Sequence, residues 1–177
     1  DPQTRACGDA AVSVAAAHPK VLIVSSYNRY HIDSGEDIYR STDGGSSWKK
    51  IFGSGATGDP SIAPYTARTG IHWLFDIEIN PFNPDHTIFT TGYGGHETFN
   101  LTDADRDQPT RWSVMCTGIE ESGALDLLSP PKGAHLITAI GDYGGFVHWD
   151  QDNPASEVNF NIPHFVNTNG LACAENN

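Results

Sequence analysis

Three successive segments repeat one internal order: a short apolar run, a Pro-containing turn, a second apolar run, then further short apolar runs. With 18 Gly and 11 Pro among 177 residues, turns are many and long helices few. Four short antiparallel strands in roughly 45–65 residues is the pattern of a β-propeller blade. The sequence therefore predicts an all-β fold of about three four-stranded antiparallel blades plus the first strand of a fourth, part of a larger propeller. An ordinary β-sandwich also turns every 8–12 residues or so; the repeated order of features within the chain favours the propeller.

The first unit, residues 10–52, opens with Ala11–Ala15, turns at His18-Pro19-Lys20 and returns as Val21–Ser25. Asp37–Arg40 and Ser47–Phe52 complete its strands. In the second unit, residues 73–116, Phe75–Ile79 and Thr87–Gly92 flank Pro81-Phe82-Asn83-Pro84-Asp85. A weaker His96–Phe99 and then Arg111–Met115 follow, with Gly94-Gly95-His96 expected in a loop. The third unit, residues 123–160, pairs Ala124–Leu128 with His135–Gly141 across Pro130-Pro131-Lys132-Gly133. It continues with Gly145–Trp149 and a less regular Val158–Phe160. A fourth unit opens in residues 168–177 at Leu171–Ala174. Alternation such as Ile77/Ile79 and Leu125/Leu127 has the two-residue period of a strand. Propellers close with about four to eight blades. Three would leave an apolar flank facing water at each end, so the rest of the ring is expected from the same or another chain.

Asp plus Glu number 22 against 10 Lys plus Arg, a formal charge of −12. Such acidity argues against nucleic acid or an anionic membrane as partner, since both reward clustered cations. No stretch has the 18 or so consecutive apolar residues of a spanning helix. Cys7, Cys116 and Cys173 are an odd number without CxxC spacing. The eight His show neither HxH nor HExxH spacing, so no metal and no cofactor are expected. Asn100-Leu101-Thr102 is an N-glycosylation sequon, in keeping with a secreted, extracellular protein.

Ser41-Thr42-Asp43-Gly44-Gly45-Ser46-Ser47-Trp48 resembles the Asp box of neuraminidase repeats. Its chemistry is local: Asp43 accepts hydrogen bonds from the turn, Gly44 and Gly45 permit positive φ, and Trp48 packs under the hairpin. Asp43 thus reads as structural, with Ser41, Gly45 and Trp48 as its companions. A sialidase would need three clustered Arg, and the six here are scattered.

A longer resemblance covers nearly the whole chain. Trp73–Gly92, Gly118–Glu121 and Leu128–His148 look like glycoside hydrolase family 74, as do Ser25–Tyr30 and the tail from Phe165 to Glu175. The resemblance implies two facing seven-bladed propellers that hydrolyse β-1,4-glucan backbones of xyloglucan type, with inversion, using two Asp. It places Asp142, in Gly141-Asp142-Tyr143-Gly144-Gly145-Phe146, at the position of the general acid. No second segment in this chain matches the base. Its polysaccharide substrate would be xyloglucan or a related β-glucan. The alternative is a non-catalytic propeller that binds carbohydrate or protein.

Inverting hydrolysis needs two carboxyl groups roughly 6.5–9.5 Å apart, one protonated and one ionised. Asp142 follows an apolar strand and sits among glycines that let backbone approach a sugar ring; the alternative is that it merely caps a Gly-rich turn. Trp73, Tyr93, Tyr27, Tyr30 and Trp149 are candidate stacking aromatics, each with a core or hairpin-packing alternative, and Tyr143, adjacent to Asp142, is a candidate substrate-binding residue. His96 is a candidate hydrogen-bond partner for a sugar. Glu120 and Glu121 stand either as groups near Asp142 or as solvated acids.

Overall fold

A computed structural model describes residues 11–26, 36–52, 56–68, 73–119, 122–153, 155, 160 and 167–174. They fall into two compact units. One comprises Asp1–Ile62 with Thr69–Glu120, the other Ala63–Arg68 with Glu121–Asn177. No helix among the described residues is long and apolar enough to cross a membrane.

The first unit holds two sheets. β1 (Val12–Val14), β2 (Leu22–Ser25), β3 (Ile38–Ser41) and β4 (Lys49–Lys50) form a four-stranded antiparallel meander in chain order. β5 (Thr57–Asp59), β6 (Ile77–Ile79), β7 (Thr87–Thr91), β8 (Gly94–Thr98) and β9 (Arg111–Val114) form the second sheet, ordered β5-β9-β8-β7-β6. Strands β6 to β9 are antiparallel neighbours, as the repeat predicts. β5 was not visible in the sequence, because Thr-Gly-Asp carries no apolar alternation. It pairs parallel to β9 and covers that strand's open edge.

Both sheets of this unit contribute to one core. Ile23, Ile38, Ile51, Leu74, Ile77, Phe89, Leu101 and Trp112 are all buried. Phe52, Phe89 and Trp112 meet edge to face, with centroids 4.8–5.8 Å apart, the arrangement that aligns a ring's positive edge with its neighbour's negative face. The inner strands also bond to each other. Ser13 donates to Glu78 Oε2 at 2.7 Å and accepts the Ile79 N–H at 3.1 Å. Farther out, the buried Arg40 holds Asp105 through Nε and Nη2 at 2.8 and 2.9 Å, a bidentate pairing that fixes orientation as well as distance. Asp105 belongs to a 3₁₀ helix, Leu101–Arg106, that buries Leu101 and Ala104. Their three-residue spacing matches the 3₁₀ turn.

The second unit contains a three-stranded antiparallel sheet: β10 (Ala124–Leu128), β11 (Leu136–Ile140) and β12 (Gly144–His148). A bulge interrupts β10 between Ala124 and Asp126. The fourth expected strand, Val158–Phe160, lies outside the described residues except for Phe160, whose N–H donates to the Gly145 carbonyl. Leu171–Ala174 is not a strand, but Leu171 N–H donates to Asp126 Oδ2 at 2.8 Å.

Two strands present apolar side chains to water. Val12 and Val14 of β1 are 60% and 47% exposed, and Leu125 and Leu127 of β10 are 49% and 60% exposed. Val12 and Val14 share one face of β1, since residues two apart point the same way, whereas Leu125 sits at the bulge of β10.

Candidate functional site

The β11–β12 hairpin carries the residue of greatest interest. Ile140 pairs with Gly144, leaving Gly141-Asp142-Tyr143 as the turn. Tyr143 N–H returns to the Gly141 carbonyl at 2.8 Å, closing a three-residue turn around Asp142. Asp142 has φ +65°, the left-handed region that L-residues avoid. Its backbone N–H donates to Asn167 Oδ1 at 2.8 Å, and Gly141 N–H donates to the Gly123 carbonyl at 2.9 Å. These two bonds tie the tip to neighbouring chain. Asp142 itself is exposed, and its carboxylate has no hydrogen bond or ion pair among the described residues. The turn is fixed through its backbone while the acid group faces outward.

The floor of this turn is built by packing. Tyr143, a candidate substrate-binding residue, points inward and is 2% exposed. Its ring meets Tyr65 edge-on at 5.3 Å, and Tyr65 also meets Phe146 at 5.9 Å. The apolar ring is taken up by the interior, and Tyr143 supports the turn from below. Gly145 has φ +147°, and a side-chain carbon there would lie 2.0 Å from the Thr138 carbonyl and 2.6 Å from the Phe160 ring. Only glycine fits.

The other candidates belong to the first unit or lie outside the described residues. Trp73 is half-buried with φ +58°, its indole against Gly92, where an added side-chain carbon would come within 2.5 Å of Trp73 Cε3. Tyr93 is half-buried in the two-residue turn between β7 and β8, its N–H donating to Thr91 Oγ1 at 2.9 Å.

That tight turn corrects the reading of Gly94-Gly95-His96 as a loop. Thr91 already pairs with Gly94 and Thr90 with Gly95, so the segment is strand β8. His96 consequently stacks on Phe89, with centroids 5.0 Å apart and planes 6° from parallel. Burial pushes its pKa below the ordinary imidazole value, against a weaker opposing pull from the Gly94 backbone. A sugar partner at a turn becomes a core-facing imidazole. Trp149 is 62% exposed. Glu120 and Glu121 lie outside the described residues, as do Tyr27 and Tyr30.

Asp43 shows the contrasting use of a turn carboxylate. It accepts Ser41 O–H at 2.8 Å, Ser47 N–H at 2.9 Å and Ser47 O–H at 2.6 Å. The Ser47 bonds, with help from Ser41, hold its pKa far below the usual carboxylate range. Gly45 N–H donates to Ser41 Oγ, and Trp48 Nε1–H to the Gly45 carbonyl at 3.0 Å, leaving the indole 44% exposed.

Asn100 is equally committed. Its Nδ2, the atom a glycan would occupy, donates to Asp103 Oδ2 at 2.8 Å and to the Pro109 carbonyl at 3.3 Å. Its Oδ1 accepts from Thr98 O–H and Arg111 N–H, both at 2.9 Å. Folding thus closes the sequon asparagine into a corner between β8, the 3₁₀ helix and β9. Among the described residues Cys116 is a buried free thiol and Cys173 an exposed one.

Antiparallel sheets joined by short turns, with almost no helix among the described residues, define an all-β segment. No family model matches the chain, but relatives and solved structures do. It is 36% identical over 185 residues to xyloglucanase Xgh74A of Acetivibrio thermocellus, covering 94% of this chain and 22% of that protein. It is 33% identical over 189 residues to a xyloglucanase of Paenibacillus sp, covering 96% and 18%. The crystal structure of the GH74 xyloglucanase from Xanthomonas campestris superposes with a TM-score of 0.78 at 37% identity, covering 89% of this chain and 22% of that one. Along nearly its whole length the chain is similar to xyloglucanases of glycoside hydrolase family 74, and it spans about a fifth of the length of the relatives it matches.

Proposed function

We propose that this segment supplies the acid half of an inverting, two-carboxylate site in a secreted hydrolase that cleaves the β-1,4-glucan backbone of xyloglucan. The observation that carries the reading is Asp142: a left-handed residue pinned through its backbone at a hairpin tip, with its carboxylate exposed and uncommitted. A side chain held in a sparsely populated backbone region costs on the order of 1–3 kcal/mol and persists where its position serves function. The three relatives all carry xyloglucanase in their names.

In this reading Asp142 gives its proton to the glycosidic oxygen as the bond from C1 to that oxygen breaks. A second carboxylate, from polypeptide outside this segment, removes a proton from the water attacking the opposite face of C1. The products are a sugar with inverted configuration at C1 and a free hydroxyl on the departing chain. Trp73 and Tyr93, both partly exposed, are the aromatic surfaces offered to the glucan. Tyr143 acts as a positioning residue beneath Asp142. The Ser41–Trp48 turn serves as an Asp box, a structural clasp outside the reaction. In this reading the blades run over residues 10–52, 73–116 and 123–160, with β5 added to the edge of the second, and the exposed Val12, Val14, Leu125 and Leu127 support burial against further blades.

The deciding experiment replaces Asp142 by Asn in the natural protein that carries this segment. Asn tolerates the left-handed conformation, so the fold should keep its melting midpoint. Xyloglucan turnover is expected to fall by about 10²–10⁴-fold, the usual contribution of a positioned proton donor. Near-normal turnover would reject the assignment. Xyloglucan binding by the unaltered protein without any new reducing ends would instead favour a non-catalytic binding propeller.

A further inference from the structure

The outer part of the five-stranded sheet carries a polar face that none of the roles above employs. Register aligns Asp59 of β5 with Ser113 of β9, and Ser113 with Glu97 of β8, in a single row. Residues two apart on a strand share a face. Arg111 therefore joins Ser113, and Phe99, just past β8, joins Glu97, while Trp112 between them packs into the core. With Asn100, these residues line an open depression of about 370 Å³.

The groups in it differ in how far they are already engaged. Asn100 is committed to its own corner and serves as wall. Asp59 Oδ1 accepts the Ser61 N–H, and Glu97 Oε2 pairs with His86 Nε2 at 3.1 Å. The Ser113 hydroxyl has no partner among the described residues, and the Arg111 guanidinium makes no hydrogen bond or close ion pair there. The Asp59 carboxyl is held below the usual range first by its Ser61 bonds and, more weakly, by the Arg111 charge. Phe99 is 62% exposed and is held flat by stacking on His86, with centroids 4.3 Å apart and planes 10° from parallel.

Two carboxylates beside one guanidinium suit neither an anion nor a bare cation. A flat exposed ring flanked by both donors and acceptors suits a neutral molecule with one apolar face and many hydroxyls. Vicinal hydroxyls can donate to a carboxylate and accept from a guanidinium together, and the ring covers C–H groups that would otherwise face water. We propose that this face of the β5-β9-β8 sheet is a binding site for a neutral oligosaccharide. It uses none of the residues assigned to hydrolysis and does not depend on that assignment. β5 completes it, since Asp59 enters the row only through the parallel pairing with β9.

The test is native affinity electrophoresis of the natural protein in gels containing soluble hydroxyethylcellulose, with matched gels containing polygalacturonate. Phe99→Ala and Arg111→Ala are each expected to weaken retardation by the neutral polymer about tenfold, a difference of about 1.4 kcal/mol, with the melting midpoint little changed. Should one variant fail to fold, the other carries the comparison. Repeated in the Asp142→Asn background, where no polymer is cut if the hydrolase reading holds, Phe99→Ala and Arg111→Ala should weaken retardation by the same factor, so the hydrolase reading and this site fail separately. The proposal is overturned if both folded variants are retarded like the unaltered protein, or if polygalacturonate retards the protein equally.

Discussion

Asp43 and Asp142 both sit in Gly-containing turns between antiparallel strands, yet the two turns spend their carboxylates in opposite ways. Asp43 uses both oxygens within its own turn, on Ser41 and Ser47. Asp142 uses its backbone N–H to anchor the turn on Asn167 and keeps its carboxylate exposed. The difference lies in the neighbours. Serines at two residues before and four after Asp43 are within local reach, whereas Asp142 is flanked by Gly141, Tyr143, Gly144 and Gly145, none with a side-chain donor facing it. A turn carboxylate without local donors is available for other work.

The sharpest way to break this comparison is to exchange Asp for Asn at each turn and measure turnover and melting side by side. Asp142→Asn should cost about 10²–10⁴ in rate with little change in melting, and Asp43→Asn should lower melting while turnover per folded molecule holds. Equal effects at the two positions would erase the distinction. Next in size, Gly145→Ala drives a methyl into the Thr138 carbonyl and should destabilise the fold by about 3 kcal/mol, read from denaturant midpoints.

A smaller effect separates position from stability. Asp142→Gly relieves the left-handed strain, worth about 1–2 kcal/mol, but loosens the unfolded chain by about 0.4–1 kcal/mol. A net gain of about 0.5–1 kcal/mol is expected, together with loss of turnover. A stability loss would show that the Asp142 side chain holds the turn after all.

The finest contrast is in pH. Asp43 has a folded pKa below its unfolded value near 4, so its contribution is complete above about pH 4. That contribution drains away as pH falls toward the folded value. Asp43→Asn should flatten that acid limb of the melting curve.

Much of the fold was legible because β2, β6, β7, β10 and β11 lie within short apolar runs and the Pro-containing turns that join the paired runs are strong. The parallel β5 was not, since a Thr-Gly-Asp strand is dictated by the open edge it meets and not by its own residues. Gly94-Gly95-His96 misled for a related reason: glycine signals a loop, but the hairpin closes one step earlier at Gly92-Tyr93. At the site, resemblance rather than residue pattern singled out Asp142, and no local signal distinguished it from a capping Asp. Tyr143 was misplaced because a ring next to a turn can go either up or down. Tyr65, remote in sequence, is the residue that receives it. The row of Asp59, Ser113 and Glu97 depends on register between distant strands, which composition does not encode.

The lateral boundary of each sheet in the first unit is also a safeguard against self-association. β9 spends its outer hydrogen-bonding groups on β5, and the opposite sheet finishes in β4, only two residues long and both lysines. At β5 and β4 a passing chain finds only short rails, the second of them cationic, on which to lay a strand, which disfavours edge-to-edge growth along those two borders.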